Sequence, residues 1–308
     1  MPEPQAGDGV LIDVHAAGVS FPDLLLSRGQ YQMRPDVPFT LGSEAAGVVR
    51  DAASGSGFAT GDRVAAFAFG TFCQLAHAGA AFTFRLPDEL SFEQGAGLVM
   101  NYHTAHFALK RRAGLRGGET VLVHGAAGGV GTAALQVAGA LGARTIATVS
   151  SEEKERVARE AGAAEVVRSD GDWRGAVLDA TGGRGADVVY DPVGGERFSG
   201  SLRCLAPEGR LVVIGFTEGA IPEVAVNRLL FRNVSVVGAA WGHFAFERPG
   251  YLREVGEDLE RMVAAGHVRP IVCRRYPFER AADALRDLDE RRAVGKLVLE
   301  MPTGDATA

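Results

Sequence analysis

A chain of 308 residues is long enough for two domains, and its 46% hydrophobic and 23% charged content is that of a globular protein. A net charge of -6 without a long basic run argues against a nucleic-acid footprint and against an anionic membrane surface. No apolar stretch reaches the roughly 18 residues that span a bilayer, and no signal-peptide pattern is seen. The three cysteines, Cys73, Cys204 and Cys273, are far apart and odd in number. They read as buried, reduced thiols in a cytoplasmic protein.

Short β segments at 10–15, 45–49, 63–66 and 72–76, broken by Gly, Pro and Asp, predict an antiparallel, barrel-like module before residue 90. A helix is expected over 91–112. Ser91 with Gln94 fits a capping box at its start, and Lys110, Arg111 and Arg112 suit its negative end before Gly114. Strand candidates follow at 120–124, 144–149, 165–167, 187–190, 210–214 and 234–237, with helical stretches such as 132–141 and 152–161 between them. Six strands joined by crossovers predict a parallel sheet covered on both faces. Beyond residue 237 the pattern is mixed again, with helices expected at 251–265 and 278–292, a strand at 296–300, and a small, polar, disordered tail at 303–308. There is no internal repeat.

The run TVLVHGAAGGVGTAALQVAGALGA (120–143) carries the most chemistry. An apolar strand meets a turn of glycine and alanine, and an Ala-rich helix follows without a break. Gly125 can take the sharp turn and Gly128 lets backbone approach a phosphate. Gly131 lets the helix pack on the sheet, and the helix then aims its amides and positive dipole end at the ligand. A Gly-rich surface loop would not need the flanking apolar material. The nucleotide contacts expected here are Gly125, Ala127, Gly128, Gly129, Val130 and Gly131.

Cofactor choice is read at the end of the second strand. An acid there would bind the ribose 2′-hydroxyl of NAD, but the chain reads Thr148-Val149-Ser150-Ser151. Ser150, Ser151, Lys154 and Arg168 offer hydroxyls and cations, which suit a 2′-phosphate and favour NADPH. Ser150 with Glu153 also fits a capping box, and both roles are compatible.

Further segments complete a pattern: AAGVSFPDLLLSRGQY (16–31), PFTLGSEAAGVV (38–49), GDRVAAF (61–67), DPVGG (191–195), GRLVVIGF (209–216) and GKLVL (295–299). With the glycine run, they make the chain resemble zinc-independent medium-chain dehydrogenase/reductases of the NADPH:quinone oxidoreductase, or zeta-crystallin-like, branch. The resemblance implies an α/β protein in which a GroES-like β-rich catalytic domain (1–92 plus 241–308) holds an inserted Rossmann NADP-binding domain, a doubly wound parallel sheet (93–240). It also implies a homodimer, for which the strand at 234–237 could serve as the joining edge.

Zinc-dependent relatives carry a cysteine and a Gly-His-Glu histidine where this chain has Ser20 and Ser43, and the four-cysteine lobe is missing. No metal is therefore expected, and His103 and His106 are read as residues of the helix surface or cleft. Ser20 and Leu25 replace the Asn and Tyr common in quinone reductases; Ser20 can still donate a hydrogen bond, whereas Leu25 cannot. The resemblance places Ser20, Tyr31 and Thr104 at the substrate and nicotinamide end. It places Asp191, Gly194, Gly215, Phe216, Thr217, Trp241 and Lys296 against the cofactor, where strand-end packing, or for Lys296 a solvated surface charge, is the alternative. A flat acceptor would sit among Tyr31, Phe67 and Trp241.

The expected reaction is NADPH-dependent hydride transfer to a quinone or similar conjugated carbonyl, a small-molecule substrate, with Ser20 or solvent as proton donor. An NADPH-dependent enoyl or enoyl-CoA reductase is the alternative within enzymes, with Arg28 and Arg34 near Tyr31 available to a CoA. A crystallin-like NADPH-binding structural protein is the alternative outside them. The opening MPEPQAGDGVLI resembles a segment that relatives place after an initial β-hairpin, so extra N-terminal residues are expected in the native protein.

Overall fold

The computed structural model describes residues 7–302; the tail expected at 303–308 lies outside them. In chain order the strands among these residues are β1 (Val10–Val19), β2 (Glu44–Ala52), β3 (Arg63–Phe67), β4 (Leu75–Ala78), β5 (Thr83–Arg85), β6 (Thr120–Val123), β7 (Arg144–Val149), β8 (Glu165–Arg168), β9 (Ala186–Asp191), β10 (Leu205–Val213), β11 (Ser235–Gly238), β12 (Val272–Pro277) and β13 (Lys296–Glu300). The chain forms two compact units, one of 1–101, 248–260 and 269–308, the other of 102–247 and 261–268. The sequence-derived boundaries at 92/93 and 240/241 lie nine and seven residues before these, and 261–268, expected with the β-rich domain, belongs to the second unit.

The β-rich unit is built on β1. This strand pairs antiparallel with β2 along one edge; on the other its first half pairs with β4 and its second half with β13, Ala16 to Val19 against Glu300 to Leu297. The sheet order is β12-β13-β1-β2-β3-β5, with β4 on β1. Irregularities in register at Leu11/Ile12 and Val14/Ala16 curve β1. Val14, Val19, Phe72, Leu297 and Leu299 pack in one cluster, and Val10, Ile12, Val49 and Val64 in another.

The second unit holds a six-stranded, all-parallel sheet in the order β11-β10-β9-β6-β7-β8. β6 and β9 lie at its centre, and β9 is buried along its whole length, as a sheet covered on both faces demands. Strand order reverses at β6, so the carboxyl ends of β6 and β9 open the crevice where such sheets bind ligands.

The structure corrects several expectations. The strand expected at 72–76 starts only at Leu75, because the Phe72 amide is turned back to the Leu41 carbonyl (2.9 Å). The single helix expected at 91–112 is broken into Phe92–Gly95, Val99–His106 and a wider-pitched Phe107–Arg112, the first break falling at the Gly95-Ala96-Gly97 run. Its capping box stands: Gln94 N donates to Ser91 Oγ (3.3 Å) and Ser91 N to Gln94 Oε1 (3.1 Å). The helix after residue 278 starts as a tight turn, Phe278–Arg280, before Ala281–Asp289. Cys204 is buried, but Cys73 is only partly buried and Cys273 is exposed. No helix among the described residues is long and apolar enough to cross a membrane.

Candidate active site

The glycine turn closes the end of β6. Gly125 takes a left-handed conformation (φ 56°), which a glycine adopts without a Cβ clash, and Gly128 precedes the helix Gly129–Ala140. A Cβ on Gly131 would fall 2.2 Å from the Gly125 carbonyl oxygen, so only glycine lets the helix sit this close to the turn. The amides of Gly129, Val130 and Gly131 precede the bond from Thr132 N–H to the Gly128 carbonyl (2.9 Å), leaving the positive helix end toward the crevice. Ala127 is buried in the turn.

Two loops close on this turn from the neighbouring strands. Asp191 ends β9, and its Oδ1 accepts the amides of Val193 and Gly194, both at 2.9 Å; burial raises its pKa. The loop after β10 is tied to it by Thr217 N to Pro192 O (3.2 Å), and Gly194 lies against Phe216. Asp191, Gly194, Gly215, Phe216 and Thr217 therefore form one rim of the crevice. Trp241 is buried at the start of the helix Trp241–Glu247, its indole tilted on the His103 ring with centroids 5.6 Å apart. Thr104 is half-buried on the helix that carries His103. His103 and His106 are core residues rather than helix-surface ones.

At the end of β7, Lys154 Nζ donates to Ser150 Oγ (3.2 Å) and Arg168 donates to the Ser150 carbonyl (3.2 Å) while pairing with Asp170. Ser151, not Ser150, caps the helix Glu152–Glu160, accepting from Lys154 N (3.3 Å). The helix starts at Glu152 as expected but its cap is one residue later than expected, which leaves the Ser150 hydroxyl to Lys154. This glycine cradle with hydroxyls and cations one strand away fits a phosphate-bearing dinucleotide.

Beneath the turn sits a group not singled out in the sequence. His124 Nδ1 lies 2.9 Å from Thr148 Oγ1 and Nε2 lies 2.8 Å from Ser201 Oγ. Full burial holds its pKa down to about 3, so the ring is neutral and can donate from one nitrogen only. Both hydroxyls also reach carbonyls, of Val123 and Arg197. One hydroxyl therefore donates to the ring and the other to its carbonyl.

The β-rich unit contains a second array, with Ser20, Asp23, Ser43, Glu44 and Lys296 all buried. Lys296 Nζ pairs with Glu44 Oε1 and donates to Ser20 Oγ (2.8 Å); Ser20 Oγ lies 3.2 Å from Glu44 Oε1. Glu44 Oε2 accepts the Met100 amide (3.0 Å). Asp23 accepts the Ser20 amide (2.8 Å) in a capping box and the Ser43 hydroxyl (3.0 Å). Burial pushes the Asp23 carboxyl up to about 7, against those hydrogen bonds and the nearby ammonium. Tyr31 is half-buried, and its pKa is raised by burial and by the charge of Asp23. Ser20 and Lys296, named in the sequence for different roles, are thus in direct contact. Lys296 is not a solvated surface charge. Phe67 is buried beside Phe69 and Phe82.

Two family models match, "Alcohol dehydrogenase GroES-like domain" over residues 6–108 and "Zinc-binding dehydrogenase" over 129–257. A bovine protein named quinone oxidoreductase-like protein 2 is 36% identical over 307 residues, covering 97% of this chain and 87% of its own. The chain belongs to the quinone oxidoreductase family of medium-chain dehydrogenase/reductases. A mycobacterial member solved in complex with NADPH is 35% identical, with a TM-score of 0.89, 97% of this chain covered and 94% of the other. A structure described as CurK enoyl reductase is 28% identical, with a TM-score of 0.87, 98% and 93% covered. In this family setting the unit around β1 is GroES-like, the six-stranded sheet is Rossmann-like, and the protein is an oxidoreductase. One model's description names zinc, but the residues present do not suit it. Among the described residues no three His, Cys, Asp or Glu side chains are grouped as metal ligands, and an ammonium is paired with the buried Glu44.

Proposed function

We propose that this quinone oxidoreductase family member is an NADPH-dependent, zinc-independent reductase of quinones or similar conjugated carbonyls. The observation that carries the reading is the glycine cradle at the switch point, coupled to Ser150, Lys154 and Arg168 at the end of β7. The NADPH complex of the mycobacterial relative supports it. The cradle amides would hold the pyrophosphate, Ser150, Ser151, Lys154 and Arg168 the 2′-phosphate, and the rim of Asp191, Gly194, Gly215, Phe216 and Thr217 the nicotinamide half, with Trp241 and Thr104 beside it. When bound there, the cofactor supplies the hydride. Ser20 presents a hydroxyl to the oxygen on which negative charge develops, and Tyr31 offers a half-buried ring to a flat acceptor.

Turnover of NADPH and NADH with 1,4-benzoquinone, 9,10-phenanthrenequinone and crotonyl-CoA, side by side, tests the proposal. A higher kcat/KM with NADPH and a quinone supports it; preference for NADH, or turnover of crotonyl-CoA alone, defeats it. The likeness to CurK enoyl reductase favours the second reading, an enoyl reductase; Arg28, its proposed CoA contact, already pairs with Asp289 (2.5 Å). Absence of turnover with any acceptor would favour a crystallin-like binding protein. We also propose a homodimer joined at the sheet edge β11, supported by the exposed Ile221, Val226, Leu230 and Phe231 in the preceding segment. A cytoplasmic location is our expectation for a protein in which no disulfide joins the three cysteines.

A further inference from the structure

We propose that Lys296 is the proton reservoir of the reaction, recharging Ser20 as Ser20 protonates the acceptor oxygen. The inference rests on the reading that the acceptor's oxygen is seated at Ser20. Three observations carry it. A buried ion pair is a poor way to stabilise a fold, since an apolar pair of the same volume does as well or better, yet Lys296 is 4% exposed and Glu44 0%. Glycine keeps this corner open: a Cβ on Gly18 would lie 2.0 Å from the Ala96 carbonyl oxygen and 2.7 Å from both Glu44 Cγ and Lys296 Cε, so backbone and ion pair share the space that it leaves. Within the array, Ser20, at 8% exposure, keeps the most surface.

Hydrogen-bond polarity gives the array a direction. An ammonium can only donate, so the bond from Lys296 Nζ takes a lone pair of Ser20 Oγ and leaves that hydroxyl to donate elsewhere. Its present acceptor, Glu44 Oε1 at 3.2 Å, is already bonded by Lys296. Turning the Ser20 proton out to an arriving oxyanion therefore leaves no carboxylate oxygen without a donor. The charged and titratable groups around Lys296 are Glu44 from β2, Asp23 from the helix Phe21–Ser27 that Ser20 caps and, through Asp23, Tyr31 from the following loop.

The step balances as follows. Hydride supplied by the bound cofactor would form a C–H bond on the acceptor carbon, and the conjugated π pair that it displaces would settle on the acceptor oxygen. That oxygen forms an O–H bond with the Ser20 proton as the Ser20 Oγ–H bond breaks. Ser20 Oγ takes a proton from Lys296 Nζ as the N–H bond breaks. Lys296, now a neutral amine, regains its proton from water through Ser20 after product leaves. Lys296 acts through Ser20 and is a positioning residue.

The test uses 4-nitrophenol, an acceptor-like phenol whose ionisation is read by absorbance, bound to the full chain with and without NADP. In the wild type, phenolate should bind at least tenfold more tightly than phenol, so the bound probe ionises at least one pH unit below the free one. Lys296→Met should abolish that preference. Because it leaves Glu44 charged and alone, Lys296→Met/Glu44→Gln, which removes both charges, is measured beside it and should do the same. Ser20→Ala should lose the preference and Ser20→Thr keep it. A wild type that does not bind the probe or does not favour phenolate, or a preference that survives in folded Lys296→Met/Glu44→Gln, overturns the proposal. The titration needs no turnover. Loss of the preference in an enzyme that reduces no acceptor defeats only the functional reading, and an unchanged preference in an active enzyme defeats only this one.

Discussion

Replacing Gly131 by alanine sets the cradle's geometry against its own helix. The added Cβ would lie 2.2 Å from the Gly125 carbonyl oxygen and 2.8 and 2.9 Å from Ala126 Cα and C. All three are backbone atoms and cannot rotate away. Ordinary contact begins near 3.4 Å, so the helix must retreat from the turn by about 1 Å. Overpacking of this kind costs about 1–3 kcal/mol, which lowers Tm by about 3–10 °C in a domain of this size. The displaced amides should weaken NADPH binding at least tenfold, about 1.4 kcal/mol. Gly139 lies in the same helix, exposed, with nothing within 4 Å of its Cβ. Gly139→Ala should stabilise by up to about 1 kcal/mol through helix propensity and leave NADPH binding unchanged. Thermal unfolding followed by circular dichroism, with a fluorescence titration of NADPH, reads both effects. Gly131→Ala with wild-type Tm and affinity, or equal shifts in both variants, would refute the reasoning.

Lys154→Ala and Arg168→Ala should each raise the Kd for NADPH about five- to tenfold while changing that for NADH little; equal losses for both cofactors would remove these residues from the 2′-phosphate. His124 is held neutral with a pKa near 3 while the unfolded chain titrates near the ordinary 6.5. The unfolded state therefore binds the extra proton, and stability present above pH 6.5 is lost as pH falls toward 3, by about 2 kcal/mol at pH 5. Urea unfolding at pH 7.5 and 5 should show a smaller loss for His124→Gln than for the wild type. Phe231→Asp should shift the protein to a monomer by sedimentation with Tm little changed, since the ring is 80% exposed within the chain; an unchanged dimer would move the interface elsewhere.

The strands of the parallel sheet were legible to within a few residues because a strand buried on both faces reads as a plain apolar run; 144–149 matches the observed β7, and in the other sheet 296–300 matches β13. β5 and β12 escaped because TFR is only three residues long and VCRRYP is interrupted by two adjacent arginines; both owe their place to pairing with β3 and β13. The same division holds for the site. The glycine cradle is a local feature, written in seven consecutive residues. The second array draws on positions 20, 23, 43, 44 and 296, and no local pattern says that they meet. Glu44 heads a strand of alanines and valines, and Asp23 reads as an ordinary residue of a first helical turn. A carboxylate inside so apolar a run was the available signal.

The pairing of β1 with β13 has a consequence for biosynthesis. Ser20 and Lys296 are 276 residues apart, yet they touch. As the chain is made, the second unit is complete once residue 268 has emerged, whereas β1 must wait for β13 with part of its edge bare and open to mispairing. A ribosome stalled before residue 296 would release a protein with its nucleotide cradle folded and its ammonium missing. The arrival of β13 is thus what brings the ammonium to Ser20.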